Sequence, residues 1–342
     1  MNFASDNSGP AHPKVIEAIV RANDGYAMPY GNDPYSIDVN DKIRDLFNAP
    51  HAAVVLVGIG TAANALALST ICPPWGRIFC HELAHIEEDE CGAPEAMIGG
   101  GKLTLLKGDH AKITPKTLAD AIAGSTAGIV HSHQPAALCV SNLSELGAAS
   151  TPAELQALAK VAHAAGLKLH LDGARFANAC AATGATAAEM AAPVDTLAFG
   201  GTKNGLMGVE AVVIFDPDAQ WELELRRKRA AQLFSKHRFL AAQMDAYLTD
   251  DLWLEMAHAA NAAATDLANG LRDAGVEIAH PVDGNQIFAR PTRAQHRRLQ
   301  DAGAAYYLHG SLEGPDEERV TCRLVTNWST SQQDRQQFLA AL

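Results

Sequence analysis

The sequence predicts an α/β fold: a mostly parallel sheet flanked by helices in a large domain, plus a smaller α+β C-terminal domain. Three observations carry this prediction. Short apolar runs alternate with helical segments from residue 14 to 245. The runs are apolar throughout, as strands buried on both faces are. Beyond Asp218 the chain changes to long charged helices and a few isolated strands. The large domain is therefore expected over 14–245. Residues 1–13 and 246–342 are expected to form the small domain, with the first thirteen as an N-terminal arm packed on it.

Taken in order, residues 1–13 hold Ser, Asp, Asn, Gly and two prolines and read as an extended arm. Val15, Ile16, Ile19 and Val20 give helical spacing to 14–23. A polar, aromatic loop at 26–35 precedes a helix over 38–47. A strand at 52–57 leads into a helix at 61–71, and 77–80 is a short strand. Further strands are expected at 102–106, 128–131 and 136–140. Residues 152–165 read as a helix, with Thr151 as N-cap and Gly166 past its end. Strands at 167–171, 195–199 and 210–215 complete the large sheet. One long helix is expected over 221–250 and another over 261–274, closed by Gly275. The remaining elements are strands at 276–279, 286–289 and 320–325 and a last helix at 331–342.

Composition narrows the function. The chain has 342 residues and 48% hydrophobic side chains, enough for a large core. With 27 basic against 39 acidic residues the net charge is −12, which argues against nucleic acid or an anionic membrane as partner. Six scattered cysteines without a CxxC pair read as reduced thiols of a cytoplasmic protein. The N-terminus has no basic-then-apolar leader pattern, and no apolar run reaches membrane-spanning length.

Three strand ends hold residues that bear chemistry. Lys203 follows the apolar run Thr196–Phe199 and two glycines in nearly uncharged surroundings. Desolvation there disfavours the ammonium form, and an uncharged amine on a rigid turn suits Schiff-base chemistry. A lysine that merely ends a strand is the plain alternative. Asp172 closes the run Leu167–Leu171, where ligands of open α/β sheets bind. Either Arg175 pairs with it or it faces a cationic ring nitrogen. Gly58-Ile59-Gly60-Thr61 lies between a strand and a helix, as a phosphate cradle does. The same residues also spell GxGxxA, with Glu82 as a possible ribose acid. His81 and His85 spell HExxH, but Gly92 and Pro94 cut short the helix a zinc site needs, so no metal is expected. Glu90 is a candidate to point inward from the acidic run 87–90. An anion cradle, a carboxylate and an amine are what pyridoxal 5'-phosphate requires.

The combination resembles the low-specificity L-threonine aldolases, a branch of the fold-type I pyridoxal-phosphate enzymes. The matching stretches are SDN at 5–7, YGNDPYS at 30–36, GTAAN at 60–64 and HELAHIEEDECGAPE at 81–95. They continue with HLDGARFANA at 170–179, FGGTKNG at 199–205, SKHRFLAAQ at 235–243 and CRLVTNW at 322–328. The resemblance implies that Lys203 is the covalent attachment point and that Asp172 keeps the pyridine nitrogen protonated. It implies that Gly60, Thr61 and Thr202 bind the phosphate. His85 would stack on the ring, near the substrate hydroxyl. Ser5, Arg175 and Arg323 would take the substrate carboxylate, with Arg175 also beside the cofactor. Tyr30 and Lys228 would reach a neighbouring subunit's site, in a dimer-of-dimers homotetramer. The chain departs from the family pattern at Ser141-Asn142-Leu143-Ser144. His133 is carried as a second histidine of the substrate pocket, against the alternative of a solvent-facing loop residue.

The activity implied is retro-aldol cleavage of L-threonine, L-allo-threonine and related β-hydroxy-α-amino acids to glycine and an aldehyde. β-Elimination or racemisation on the same scaffold is the alternative. A nicotinamide oxidoreductase, a zinc peptidase and a non-catalytic ligand-binding regulator are the more distant ones.

Overall fold

The structure, a computed structural model, describes residues 1–342. Seven strands form the large sheet: β1 Ala53–Val57, β2 Gly76–His81, β3 Lys102–Leu106, β4 Gln134–Ser141, β5 Lys168–Gly173, β6 Thr196–Gly200 and β7 Glu210–Ile214. Their spatial order is β1-β7-β6-β5-β4-β2-β3. All pairs are parallel except those of β7, which runs against both β6 and β1. The reason is chain length. Only Gly201–Val209 joins β6 to β7, too short for a crossover, so the two form a hairpin.

Alternate residues of each strand enter opposite cores, which is why the runs are apolar at every position. Val54, Leu56, Leu169, Leu171, Leu197, Phe199 and Val213 pack into one core. Ala53, Val55, Val57, Ala198, Val212 and Ile214 pack into another, against Ala63, Leu66 and Ala67 of the helix Gly60–Ile71.

The small sheet is antiparallel, with β8 Glu277–Ile278, β9 Gln286–Arg290, β10 Tyr307–His309 and β11 Thr321–Val325 in the order β10-β11-β9-β8. The N-terminal arm packs on it: the Phe3 amide donates to Ala305 O at 2.8 Å, and Phe3 O accepts from the Val325 amide at 2.8 Å. Phe3 is fully buried in the small core.

Four expectations need correction. The strand at 128–131 is absent. Gln134 folds back on that stretch, accepting from the Gly128 amide and donating to Ile129 O and Ser132 O, and Gly128 is left-handed. The helix expected over 221–250 is two helices, Gln220–Arg229 and Arg238–Leu248, broken where Ala231 takes φ 58°. The helix expected from residue 38 begins at Pro34, with the Asp33 side chain capping Ser36. The helix expected over 261–274 begins earlier and runs over Leu252–Asp273. Trp253, Met256 and Ala257 belong to the large core, while Ala264, Leu267 and Leu271 belong to the small one.

Candidate active site

The carboxyl ends of β1, β2, β4, β5 and β6 lie along one edge of the sheet, and β7 starts there. Register pairs Ser141 of β4 with Asp172 of β5, and Gly173 of β5 with Phe199 of β6. The loops leaving this edge carry Thr61, His85, Arg175 and Lys203.

Asp172 is 5% exposed. Its Oδ2 accepts from Asn64 Nδ2 at 2.9 Å and its Oδ1 from the Ala174 amide at 3.0 Å. Burial pushes the carboxyl up. The nearby His85, the Ala174 amide and Lys203 outweigh that and hold it below the ordinary aspartate value. Of the two readings of Asp172, the pairing with Arg175 does not form. Arg175 donates through Nε and Nη2 to Asp6 at 2.8 and 3.1 Å instead. Asp172 is thus an ionised carboxylate without a salt-bridge partner at its strand end.

Asn64 organises the cluster. Its Nδ2 donates to Asp172 and to Glu90 Oε1, the latter at 2.8 Å, and its Oδ1 accepts from His170 Nε2 at 3.0 Å. That bond places the His170 proton on Nε2, so Nδ1 accepts from the Thr196 hydroxyl at 2.8 Å. Burial pushes His170 down to about 4, which keeps it neutral.

His85 starts the short helix His85–Glu88 and is half-buried. Its Nδ1 lies 2.7 Å from Glu90 Oε1, and its backbone amide donates to Glu145 Oε1 at 3.2 Å. A carboxylate only accepts, so Nδ1 carries the proton and Nε2 is the unprotonated nitrogen of the neutral ring. The bond to Glu90 raises the His85 pKa despite its burial. Burial raises that of Glu90, against the bonds it accepts from His85 and Asn64. Glu145 also accepts from Ser141 Oγ at 2.6 Å, and burial pushes it up to about 7. HExxH does not act as a unit: His81 ends β2, and its ring meets Gly108 O and the Leu83 amide.

Lys203 lies in a single 3₁₀ turn, Thr202–Asn204, past the end of β6. Burial lowers its pKa, and Arg175 adds to this; Asp6, Asp172 and Glu210 act the other way. Thr202 Oγ1 accepts from the Val209 amide at 3.2 Å. Gly60 and Thr61 open the helix Gly60–Ile71, whose N-cap Ile59 provides no side-chain acceptor. The amides of Gly60, Thr61 and Ala62 have no acceptor within the chain. Such a helix start favours an anion.

Ser5 caps the turn Asp6–Ser8 through its hydroxyl. Arg323 lies near Arg175 and Asp6, with its guanidinium 4.9 Å from the Tyr307 ring centre and a buried Nε that has no partner. Tyr30 and Lys228 meet each other, Nζ lying 5.5 Å from the ring centre, and neither bonds to the cluster above. The placement of His133 within the chain is a correction. It precedes the first residue of β4, and the eight-residue strand separates it from Ser141 at the site edge. By strand rise alone that is roughly 25 Å.

Asn64, Asp6 and Glu145 were not singled out from the sequence. Asn64 had a signal: it is a lone amide in the otherwise apolar stretch ANALAL.

The sequence profile of the β-eliminating lyases matches residues 2–293. A low-specificity L-threonine aldolase of Pseudomonas aeruginosa is 40% identical over 331 residues, 96% of this chain and 93% of the relative. One from a Pseudomonas species is 36% identical over 333 residues, with the same coverage of both chains. The structure of a Leishmania major threonine aldolase superposes with a TM-score of 0.93 at 28% identity, covering 99% of this chain and 97% of that one. A Sphingomonas wittichii serine palmitoyltransferase shares the fold alone, with a TM-score of 0.73 at 15% identity over 100% of this chain and 86% of that one. The likeness runs through the whole chain, and the protein belongs to the low-specificity L-threonine aldolase family of the β-eliminating lyases.

Proposed function

We infer that this protein is a pyridoxal-phosphate-dependent carbon–carbon lyase. It cleaves L-threonine, L-allo-threonine and related β-hydroxy-α-amino acids to glycine and an aldehyde, as its relatives' names imply. The observation that carries the reading is the meeting of Asp172 and Lys203 on adjacent strand ends, each acting on the other's charge.

The residues fit the cofactor. Three unpaired amides at the start of the 60–71 helix suit a phosphate, the ionised Asp172 suits a pyridinium, and Lys203 makes no hydrogen bond or ion pair of its own. Gly60, Thr61 and Thr202 would hold the phosphate, Asp172 the ring nitrogen, His85 the ring face and Lys203 the aldehyde carbon. When bound, pyridoxal phosphate supplies a cationic ring that takes up the electron pair released by Cα–Cβ cleavage.

The chain's own residues do the rest. Arg323, with a free Nε, and Ser5 take the substrate carboxylate. Arg175 is held by Asp6 through Nε and Nη2, which leaves the two Nη1 hydrogens and the second Nη2 hydrogen for a ligand. His85 Nε2 accepts the β-hydroxyl proton, directly or through water, while Glu90 fixes the tautomer that leaves Nε2 basic. That base works only when unprotonated, so rate is lost as pH falls through the raised His85 pKa. Glu90→Gln lowers that pKa. The acid limb of kcat then moves to lower pH, while the maximal rate falls roughly ten- to a hundredfold because the imidazole loses its anchor. A pH–rate profile checks this, and an unmoved limb contradicts the pairing.

Tyr30 and Lys228 are assigned to the neighbouring subunit's site, in a dimer-of-dimers tetramer. Supporting this is a groove of about 680 Å³ beside Gly58 and Gly208, bordered by exposed Val20, Met207 and Phe234. Sedimentation of the active protein as a monomer would remove that assignment. No helix is long and apolar enough to cross a membrane. All six cysteines are free, in keeping with a cytoplasmic location.

The function is tested by incubating the purified protein with L-threonine and L-allo-threonine. Glycine and acetaldehyde are expected in equal amounts. Release of ammonia and a 2-oxo acid, or racemised substrate without aldehyde, would instead support elimination or racemisation, which the threonine aldolase relatives do not favour.

A further inference from the structure

One buried carboxylate at the site edge has no part in the chemistry above. Glu210 is the first residue of the apolar strand β7, 6% exposed, and stands opposite Gly200 of β6 on one side and Val57 of β1 on the other. Packing alone does not ask for a charge there, and burying one is costly unless it is satisfied. It is satisfied by the lysine turn: Oε2 accepts from the Gly201 amide at 2.8 Å, and Thr202 adjoins the carboxylate and favours its charged form.

The rest of that turn is pinned by neutral groups. Gly200 O accepts from the Tyr247 hydroxyl at 3.2 Å, while Asn204 Nδ2 donates to Tyr247 Oη and Trp253 O, each at 2.8 Å. Gly201 has no room for a side chain, since a Cβ would stand 2.3 Å from Leu206 Cδ1 and 2.9 Å from Val209 O. Glu210 is thus the one carboxylate bonded to the turn that presents Lys203.

We propose that Glu210 is a positioning residue for Lys203: it clamps the Gly201–Thr202 turn and supplies nearby negative charge that steadies the protonated amine. The charged groups around Lys203 come from four other segments. Arg175 follows β5, Asp6 comes from the N-terminal arm, Asp172 from the end of β5 and His85 from the loop after β2. Arg175 drives the proton off, whereas Asp6, Asp172 and Glu210 retain it. Around Glu210 stand the Gly201 amide, Thr202 and Lys203, with Tyr247 close by. Burial pushes Glu210 up to about 7, so near neutral pH its charge depends on those contacts. Lys203 without Glu210 would lose its proton more readily.

The inference rests on Lys203 being the reacting amine, and the test keeps the two apart. Apoenzyme of the wild type and of Glu210→Gln is treated with a limiting amine-acylating reagent across a pH series. Modification of the peptide carrying Lys203 is then followed by mass spectrometry. Between about pH 7 and the wild-type midpoint, Glu210→Gln is expected to label roughly tenfold faster, with equal rates at high pH, because one opposing charge is gone. An unchanged midpoint overturns the proposal while leaving the role of Lys203 intact. Absence of a borohydride-reducible cofactor adduct on Lys203 in wild-type holoenzyme would strike that role instead. Should Glu210→Gln not fold, Thr202→Val serves, since it removes the hydroxyl that stabilises the carboxylate. The midpoint is expected to fall in the same direction, and an unmoved midpoint overturns the proposal.

Discussion

Lys203→Ala is expected to remove the borohydride-reducible visible absorption of the purified protein and to lower threonine cleavage by roughly 10⁴-fold, the upper range for one positioned group. The expectation follows from where the lysine sits. Its turn is pinned through Gly200, Gly201 and Asn204, so the amine is presented from a rigid base. Burial and Arg175 weaken its hold on a proton, which readies it as a nucleophile. Nζ makes no hydrogen bond or ion pair within the chain, so the alanine variant should fold with nearly unchanged stability. Absorption spectra with and without borohydride, together with a thermal melt, check both halves. A reducible band that survives the substitution would assign the covalent attachment to another lysine.

Asp172→Ala is the second large effect. Cleavage should fall by roughly 10²- to 10³-fold, about 3–4 kcal/mol of lost charge stabilisation. The Ala174 amide loses its acceptor, and Asn64 keeps only Glu90 as a carboxylate partner. Stability should therefore drop by about 1–3 kcal/mol. Asp172 raises the His85 pKa, so its removal should also shift the acid limb of the rate profile to lower pH. Steady-state kinetics across pH together with a denaturant melt, with Asp172→Asn as the isosteric control, measures all three. Near-wild-type cleavage by the alanine variant would take the ring-nitrogen role away from this residue.

How much of this could be read from the sequence depended on range. Strands buried on both faces reveal themselves by unbroken apolar runs, so the large sheet was legible from Ala53 to Ile214. The direction of β7 follows from its short connection to β6 and was not drawn. The false strand at 128–131 is closed off by the Gln134 side chain, and the break at Ala231 lies in a helix-favouring sequence. Neither contact leaves a periodic mark. In the site, Lys203 and Asp172 carry signals because each stands beside a strand end, whereas His85 is marked only by the family resemblance. Asp6 and Glu210 carry none, because what makes them matter is a partner far along the chain or across a strand pair: Arg175 for one, Gly201 for the other. Which end of β4 His133 occupies shows only in the parallel register, which sets it at the end away from Ser141.

The central claim is that one vitamin-derived aldehyde is held at Lys203 with Asp172 at its far side. The most direct test is borohydride reduction of the purified holoprotein followed by peptide mass mapping. The account predicts the reduced pyridoxyl-phosphate mass on the peptide containing Lys203 and on no other. The same mass on a peptide carrying a different lysine such as Lys228, or on none, would contradict it.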